Sequence, residues 1–540
     1  MKPKALIKDL LGELPFTAEA YWLLRHRDKK IRSRFDLESL VTRAPELVAQ
    51  VTPHAGHAPS SGKKIFLFAS WHYWIAHTAL CGLVLRGLGH DVTLGYLPYS
   101  DFIKPIARFD LRRYDLYTKH ALQGLSPLVR AVSFLDLEPA SQLPEALAAA
   151  VEQVTVVDTQ YILQREDVTG DEPIYQFRHE RNLAAALRAL TYFQKSRPDV
   201  VIIPNGMIQE YGAVYETARY LNIFTVTYEF GELDQLALVT QNDLVMLHPT
   251  DKMWAVYKDR KLNAEQHAWL ESFLAARHGH AFDERFAFRR QKISPEGEEK
   301  IRSVLGLDNR PIVLLPTNVL GDTATLGRTR SLFSQSMAEW IIRVVGYLID
   351  RPEIQLVIRL HPSEIRTIGP SVAETIHRAF PTLPEHIHLI GPKENINTYD
   401  LIDITDLALV YTTTVGLEMA TRGLPVLLGG RAHYRNKGFT IDANTWEEYF
   451  HKMDLALADL PAQRLSQEQI ERAWNYAYAY FHDYPRPFPW HLAKIWSSVD
   501  KRPLSYILSP EGRARYQATF EQMAGAPIVW EKKTWHPSDK

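Results

Sequence analysis

One cysteine, Cys81, stands in a chain of 540 residues. A single thiol closes no intrachain disulfide and builds no cysteine zinc cluster. A cytoplasmic location is therefore the expectation. Net charge is also missing. The 62 Lys and Arg against 63 Asp and Glu leave −1. Without a global positive field, no nucleic-acid partner is expected. No uninterrupted apolar run reaches the ~18 residues of a membrane span. Met1-Lys2-Pro3-Lys4 is followed by no apolar core and no small-residue cleavage site, so no secretory signal is expected. Any service to a membrane pathway is expected to be peripheral, at the inner face of the cytoplasmic membrane. HExxH is absent, and no clear Asp-x-Asp pair ends a strand. Asp403-Ile404-Thr405-Asp406 precedes a strand, where capping is its ordinary use. No metal and no cofactor are expected.

What the chain does have is enough apolar material, 46% of residues, for more than one core. Residues 1–60 read as a helical N-terminal extension. In it Tyr21-Trp22-Leu23-Leu24 precedes Arg25, Arg27, Lys29, Lys30, Arg32 and Arg34. That run is either a solvated face or a basic surface facing anionic lipid. His57 to Lys63 reads as a linker. Residues 61–250 read as a Rossmann-like domain. Its strand–helix–strand units run from Lys64 to Ser70 and on to Leu94, then from Pro198 to Tyr228. Residues 101 to 150 are less legible. Residues 251–309 are polar and helical, an expected interdomain connection. Residues 310–460 repeat the alternation, with strands at Pro311 to Leu315, Ile354 to Ile358, Ile387 to Ile390, Leu407 to Tyr411 and Pro425 to Leu428. Residues 461–540 form a helical tail. Trp474, Tyr476, Tyr478, Tyr480 and Phe481 are expected to pack it across both domains. The fold class is thus α/β: two Rossmann-like, doubly wound domains facing a central cleft, with helical N- and C-terminal extensions.

In such sheets ligands bind outside the carboxyl ends of the strands. Arg359-Leu360-His361-Pro362-Ser363-Glu364 follows one strand. Pro362 fixes the chain direction there. The His361 imidazole can then donate to a phosphate oxygen or carry a proton. Its alternative is a strand-end histidine satisfied by a backbone carbonyl. Arg359 shares parity with His361 if the strand persists, and Glu364 follows within reach of a ribose or sugar hydroxyl. Thr412-Thr413-Thr414 opens a helix, where hydroxyls and free amides hold an anion or simply cap. Glu418, about one turn in, could hold ribose. Asn318 and Asp322 lie on the loop after the first strand of this half. In the first half, Asn205 and Gly206 follow one strand, and Glu229 and Glu232 follow another. Either glutamate could take a proton from an acceptor hydroxyl, with Glu210 and Asp234 behind them. Trp71 and His72, in the loop Trp71-His72-Tyr73-Trp74, offer ring faces for a sugar, or else pack a domain interface. A helix start with His361 and Arg359 can stabilise a leaving phosphate without a metal.

Together, Thr317-Asn318-Val319 with Asp322, the Arg359 to Glu364 segment, Thr412 to Thr414 with Glu418, and Gly423-Leu424-Pro425-Val426 resemble the capsule polysaccharide biosynthesis family. That family includes Kdo transferases. Lys437-Gly438-Phe439-Thr440 is similar to it too. The resemblance is best over about residues 195 to 450. It implies a GT-B fold, with nucleotide-sugar donor in the C-terminal domain and acceptor in the N-terminal one. It also implies His361 at the donor phosphate. Threonines stand at 412 to 414 where related CMP-sugar enzymes often have serines, and a glutamate such as Glu418 contacts ribose in UDP-sugar enzymes of this fold.

The expected function is a glycosyltransferase. It moves a sugar from a nucleotide-sugar co-substrate, CMP-linked before UDP-linked, to a cell-surface polysaccharide or glycolipid acceptor. A UDP-sugar 2-epimerase on the same scaffold and a non-catalytic polysaccharide-assembly subunit are the alternatives.

Overall fold

A computed structural model describes residues 3–25, 35–56, 62–126, 128–278, 285–287, 297–327 and 331–530. Most of the expected linker, and the basic run beyond Arg25, lie outside these. The chain forms two compact units. Unit one holds residues 1–159, 169–246 and 485–540; unit two holds 160–168 and 247–484.

Unit one opens with three helices, α1 (Pro3–Glu13), α2 (Thr17–Arg25) and α3 (Glu38–Ala55). Then come β1 (Lys64–Ser70), α4 (His72–Gly87), β2 (Asp91–Leu97), α5 (Arg108–Gln123) and β3 (Arg130–Ser133). The helices α6 (Glu145–Leu163) and α7 (Pro173–Ser196) lead to β4 (Val200–Pro204), α8 (Gln209–Tyr220), β5 (Phe224–Glu229) and β6 (Leu236–Gln241). The strands lie in the order β6-β5-β4-β1-β2-β3. All pair in parallel except β5 with β6. β1 and β4 are buried on both faces, which is why each reads as an unbroken apolar run. The strand order reverses between β1 and β4, so their carboxyl ends open a crevice.

The segment Arg486–Pro487 adds an antiparallel strand beside β6. Trp490, Tyr516 and Phe520 from the tail share one core with Leu40, Leu47 and Val51 of α3 and with β1 and α4. The N-terminal extension and the chain beyond Tyr484 are therefore integral to unit one.

Unit two contains α9 (Asp251–Tyr257), α10 (Ala264–Arg277) and α11 (Glu298–Leu305). The segment expected to be an interdomain connection thus belongs to this unit. Its sheet alternates β7 (Ile312–Pro316), α12 (Met337–Leu348), β8 (Gln355–Arg359), α13 (Val372–Ala379), β9 (Ile387–Ile390), α14 (Thr398–Asp403), β10 (Leu407–Val410), α15 (Val415–Thr421), β11 (Val426–Leu428) and β12 (Ile441–Asp442). The order is β12-β11-β10-β7-β8-β9, all parallel. The strand order of unit one's sheet is repeated, with its reversal between β7 and β10, but the outer pair β11–β12 is parallel where β5–β6 is antiparallel.

Two assignments depart from sequence. Residues 160–168 belong to unit two, where both Glu166 carboxylate oxygens accept from the Met337 and Ala338 amides at the start of α12, at 2.9 and 2.8 Å. The aromatic run from Trp474 to Phe481 also lies in unit two. Trp474 donates to the Thr421 carbonyl at 2.9 Å, and the Tyr476 hydroxyl meets Thr250 at 2.8 Å. Only the chain beyond Tyr484 returns to unit one.

Candidate active site

In unit two, three strand ends are tied together. Pairing sets Pro316 beside Arg359, and β10 lies on the other side of β7. The Thr317 hydroxyl accepts from the His361 amide at 3.2 Å. One residue on, the Asn318 carboxamide oxygen accepts from the Thr412 amide at 3.4 Å and its hydroxyl at 3.3 Å. The loop after β7 therefore holds the loops after β8 and β10 at the crevice. Adjacent strands are spaced by about 4.8 Å, so the outer two loops stand about 10 Å apart.

His361 and Pro362 begin a single tight turn, Pro362–Arg366. The Ser363 amide donates to His361 Nδ1 at 3.1 Å. A ring nitrogen that accepts carries no proton, so the neutral imidazole bears its hydrogen on Nε2 and donates from there. The Thr413 hydroxyl accepts from the Val415 amide at 3.4 Å, and its carbonyl accepts from Tyr434 at 2.6 Å. Thr414, half-buried at the helix start, makes no side-chain capping bond. Asp322 caps its own short turn, accepting from the Ala324 amide at 3.2 Å.

Three expected donor-side groups have other partners. Arg359 is buried, and its guanidinium donates to the carbonyls of Gly391 at 2.5 Å and Ile396 at 3.1 Å. It braces the loop after β9 instead of meeting a phosphate. The strand ends at Arg359, so the parity assumed with His361 does not persist. Glu364 is buried and accepts from the Val372 amide at 2.7 Å, capping α13; burial pushes its carboxyl up. Glu418 is buried among Arg277, Tyr399 and His278. Arg277 Nη2 stands 3.0 Å from Oε1, the Tyr399 hydroxyl 2.8 Å from Oε2, and His278 Nε2 3.6 Å from Oε2. Burial alone would raise this carboxyl, but the Arg277 charge and the hydrogen bonds prevail and hold it at about 2. Its oxygens are taken, which leaves no ribose contact in this geometry. Arg277 and Tyr399 carry no local motif, so sequence did not single them out.

In unit one, Trp71 and His72 follow β1, while Asn205 and Gly206 follow β4, either side of that sheet's reversal. Asn205 and Gly206 have φ of 57° and 81°. A Cβ at position 206 would come within 2.5 Å of Thr227 Cγ2, so the tight turn needs glycine there. Asn205 Nδ2 donates to Glu229 Oε2 at 3.3 Å, and the Phe230 amide donates to Oε1 at 3.0 Å. Burial pushes the Glu229 carboxyl up, against those two bonds. Glu232 is exposed on the following loop. Glu210 is fully buried on Arg178 at 2.8 Å, and Arg178 also holds Asp158 at 2.7 Å. Asp234 accepts from its neighbour's amide within the turn.

The Trp71 ring packs on Phe102 with centroids 4.1 Å apart, so that face is covered. His72 is buried, and burial holds it at about 4, neutral at pH 7. Trp71 Nε1 and His72 Nδ1 are buried without a hydrogen-bond partner among the described residues. His72 and Tyr73 line a cavity of about 540 Å³ with Asp36, Lys494, Trp496 and Ser497. The last four come from the terminal extensions, and sequence gave no sign of them.

Residues 275–479 match the family model described as "Capsule polysaccharide biosynthesis protein". No curated protein matches the chain. Solved structures similar to it include the Thermosulfurimonas dismutans KpsC beta Kdo 2,4 transferase, at 17% identity over 54% of this chain and 83% of that one, with a TM-score of 0.36. The beta Kdo 2,7 transferase of the same KpsC gives 14% identity, 53% and 79% coverage, and a TM-score of 0.31. The Neisseria meningitidis UDP-GlcNAc 2-epimerase gives 12% identity, 81% and 100% coverage, and a TM-score of 0.24. Over residues 275–479, the stretch that holds unit two's whole sheet and every expected donor-side residue, the chain matches the capsule polysaccharide biosynthesis family.

Proposed function

We propose that the chain is a GT-B-type, metal-independent glycosyltransferase of capsule polysaccharide assembly. The observation that carries this reading is the Asn318–Thr412 bond beside Thr317–His361. It gathers an imidazole and a hydroxyl-rich turn at the crevice of a parallel sheet, where a nucleotide phosphate would be held. Unit two takes the nucleotide-sugar, with a CMP-sugar favoured over a UDP-sugar. His361 donates from Nε2 to the phosphate oxygen that gains charge as the glycosidic bond breaks. The Thr413 and Thr414 hydroxyls share that load.

Unit one takes the glycan or glycolipid acceptor at the cavity beside His72 and Tyr73. Glu229 removes the proton of the attacking hydroxyl. Its raised pKa makes it a stronger base than an exposed carboxylate, and Asn205 orients it. The nucleotide-sugar is a co-substrate, and no cofactor enters. A lipid-linked acceptor would put the enzyme at a membrane face, so peripheral contact is part of the proposal.

The test is a thermal-shift screen against CMP, UDP, GDP and CDP, followed by transfer assays with the sugar donors of the base that binds. Stabilisation by one nucleotide and acceptor-dependent release of it are expected. Epimer formation from a UDP-sugar without acceptor, or nucleotide binding without turnover on any glycan, would overturn the reading.

A further inference from the structure

We infer, resting on the donor reading above, that Arg431 is the cation that binds the nucleotide phosphate in unit two. The residues gathered so far offer that phosphate hydroxyls, amides and a neutral imidazole. Arg359, the cation expected there from sequence, is held by the carbonyls of Gly391 and Ile396. A leaving phosphate gains a full charge as its bond to the sugar breaks. Neutral donors meet such a charge about half as strongly as an ionised one does.

The loop after β11 is fastened to the threonine turn after β10. The two strands pair with Val410 beside Leu428. The contact carries on past them, because the Gly429 amide donates to the Val410 carbonyl at 2.8 Å and the Gly430 amide to the Tyr411 carbonyl at 3.0 Å. Gly430 lies so close that a Cβ there would stand 2.8 Å from Thr412 Cγ2. Further along the loop, the Tyr434 hydroxyl donates to the Thr413 carbonyl at 2.6 Å. That hydroxyl also packs on Gly416, where a Cβ would clash with it. Arg431 follows Gly430 directly, so it sits in a stretch of chain tied to the turn on both sides.

The other cations of this loop are engaged. Arg435 donates to the Ala443 carbonyl at 2.6 Å, and Lys437 is buried against Asp251. Arg431 differs from both. It is exposed, and its guanidinium makes no hydrogen bond or ion pair with any described residue. An arginine fork matches two phosphate oxygens at once, which a lysine or a hydroxyl does not.

The sheet order β11-β10-β7-β8 sets the loops that carry Arg431 and His361 about 14 Å apart, with the threonine turn between them. An extended arginine from one side and an imidazole from the other close that gap on a phosphate lying over the turn. In the transfer step the bond from the anomeric carbon to the phosphate oxygen breaks, and its electron pair stays on that oxygen. A bond forms from the anomeric carbon to the acceptor oxygen, whose proton passes to the general base. The phosphate thereby gains one negative charge, which Arg431 and His361 face from opposite sides. Arg431 recognises phosphate and not base, so the assignment holds for a CMP-sugar and a UDP-sugar alike.

Titration calorimetry of the full chain with CMP, UDP, cytidine and uridine reads the contact. Wild type should bind the nucleotide of one base about tenfold or more tightly than its nucleoside. Arg431→Gln should weaken that nucleotide by about ten- to hundredfold and leave the nucleoside within about twofold. Its unfolding midpoint should match wild type, because the exposed side chain holds no described partner. Arg431→Lys should recover part of the loss, since a charge without the fork still meets phosphate. Nucleotide affinity in Arg431→Gln equal to wild type leaves a merely solvated arginine; it overturns the inference while the donor reading stands. No recovery by lysine, or an equal loss for nucleotide and nucleoside, marks a distorted loop and overturns it too. A wild type that binds neither nucleotide ends both readings.

Discussion

Replacing Glu418 by Gln separates a structural carboxylate from a ribose ligand. The side chain keeps its size and one acceptor oxygen but loses the charge that faces Arg277. In the folded chain Glu418 titrates at about 2, against an ordinary value of 4.5. A difference of about 2.5 units at 1.36 kcal/mol each corresponds to about 3 kcal/mol of folding free energy. Breaking a buried ion pair from one side gives a similar figure, about 3–5 kcal/mol, because the other charge is left uncompensated. The folded value lies below the unfolded one, so folding favours the ionised form. The contribution is complete above about pH 5 and disappears as pH falls from 4.5 towards about 2. Urea unfolding of wild type and Glu418→Gln, stepped from pH 7 to pH 2.5, reads the gap directly. A gap of about 3 kcal/mol at neutral pH that closes in acid is expected. A gap below about 1 kcal/mol, or one that ignores pH, would refute the pairing. Unchanged stability with weakened nucleotide binding would return the residue to ribose.

His361→Ala should lower kcat of transfer by about 10²–10³ while nucleotide binding, read by thermal shift, changes little; full transfer by the variant would remove the phosphate role. Glu229→Gln should abolish the acid limb of the pH–rate profile. In wild type, activity should fall as pH drops through a pKa above the ordinary carboxylate range, because only the ionised form accepts a proton; an identical limb in the variant would assign the base elsewhere. Arg178→Met should cost about 3–5 kcal/mol, since Asp158 and Glu210 would remain buried without their cation. A urea midpoint matching wild type would refute the buried ion-pair reading.

What could be read from sequence follows from where information is local. β7, β8, β10 and β11 were legible to within a residue or two, because strands buried on both faces are continuous apolar runs. The residues after those strands were legible for the same reason: parallel connectivity sends them to one sheet edge. β3 was missed, since of Arg130–Ser133 only Ser133 is buried and no periodicity survives. The nine residues 160–168 look like a continuation of unit one and belong to unit two, through partners such as Met337 that lie far along the chain.

The carboxylates divide on the same line. A glutamate at a strand or helix end looks available in sequence whatever faces it. Burial makes an unpaired charge costly, so a buried carboxylate acquires a partner, and that partner lies far away in sequence. Glu418 finds Arg277 across 141 positions, and Glu210 finds Arg178 across 32. Glu364 spends its oxygen on a helix amide. Glu229 receives only an amide and a carboxamide, which hold it in place without cancelling its charge. An acid at a sheet edge that is oriented but not neutralised keeps the basicity that a transfer step needs. That distinction separates Glu229 from Glu418 and Glu210, and only the fold could make it.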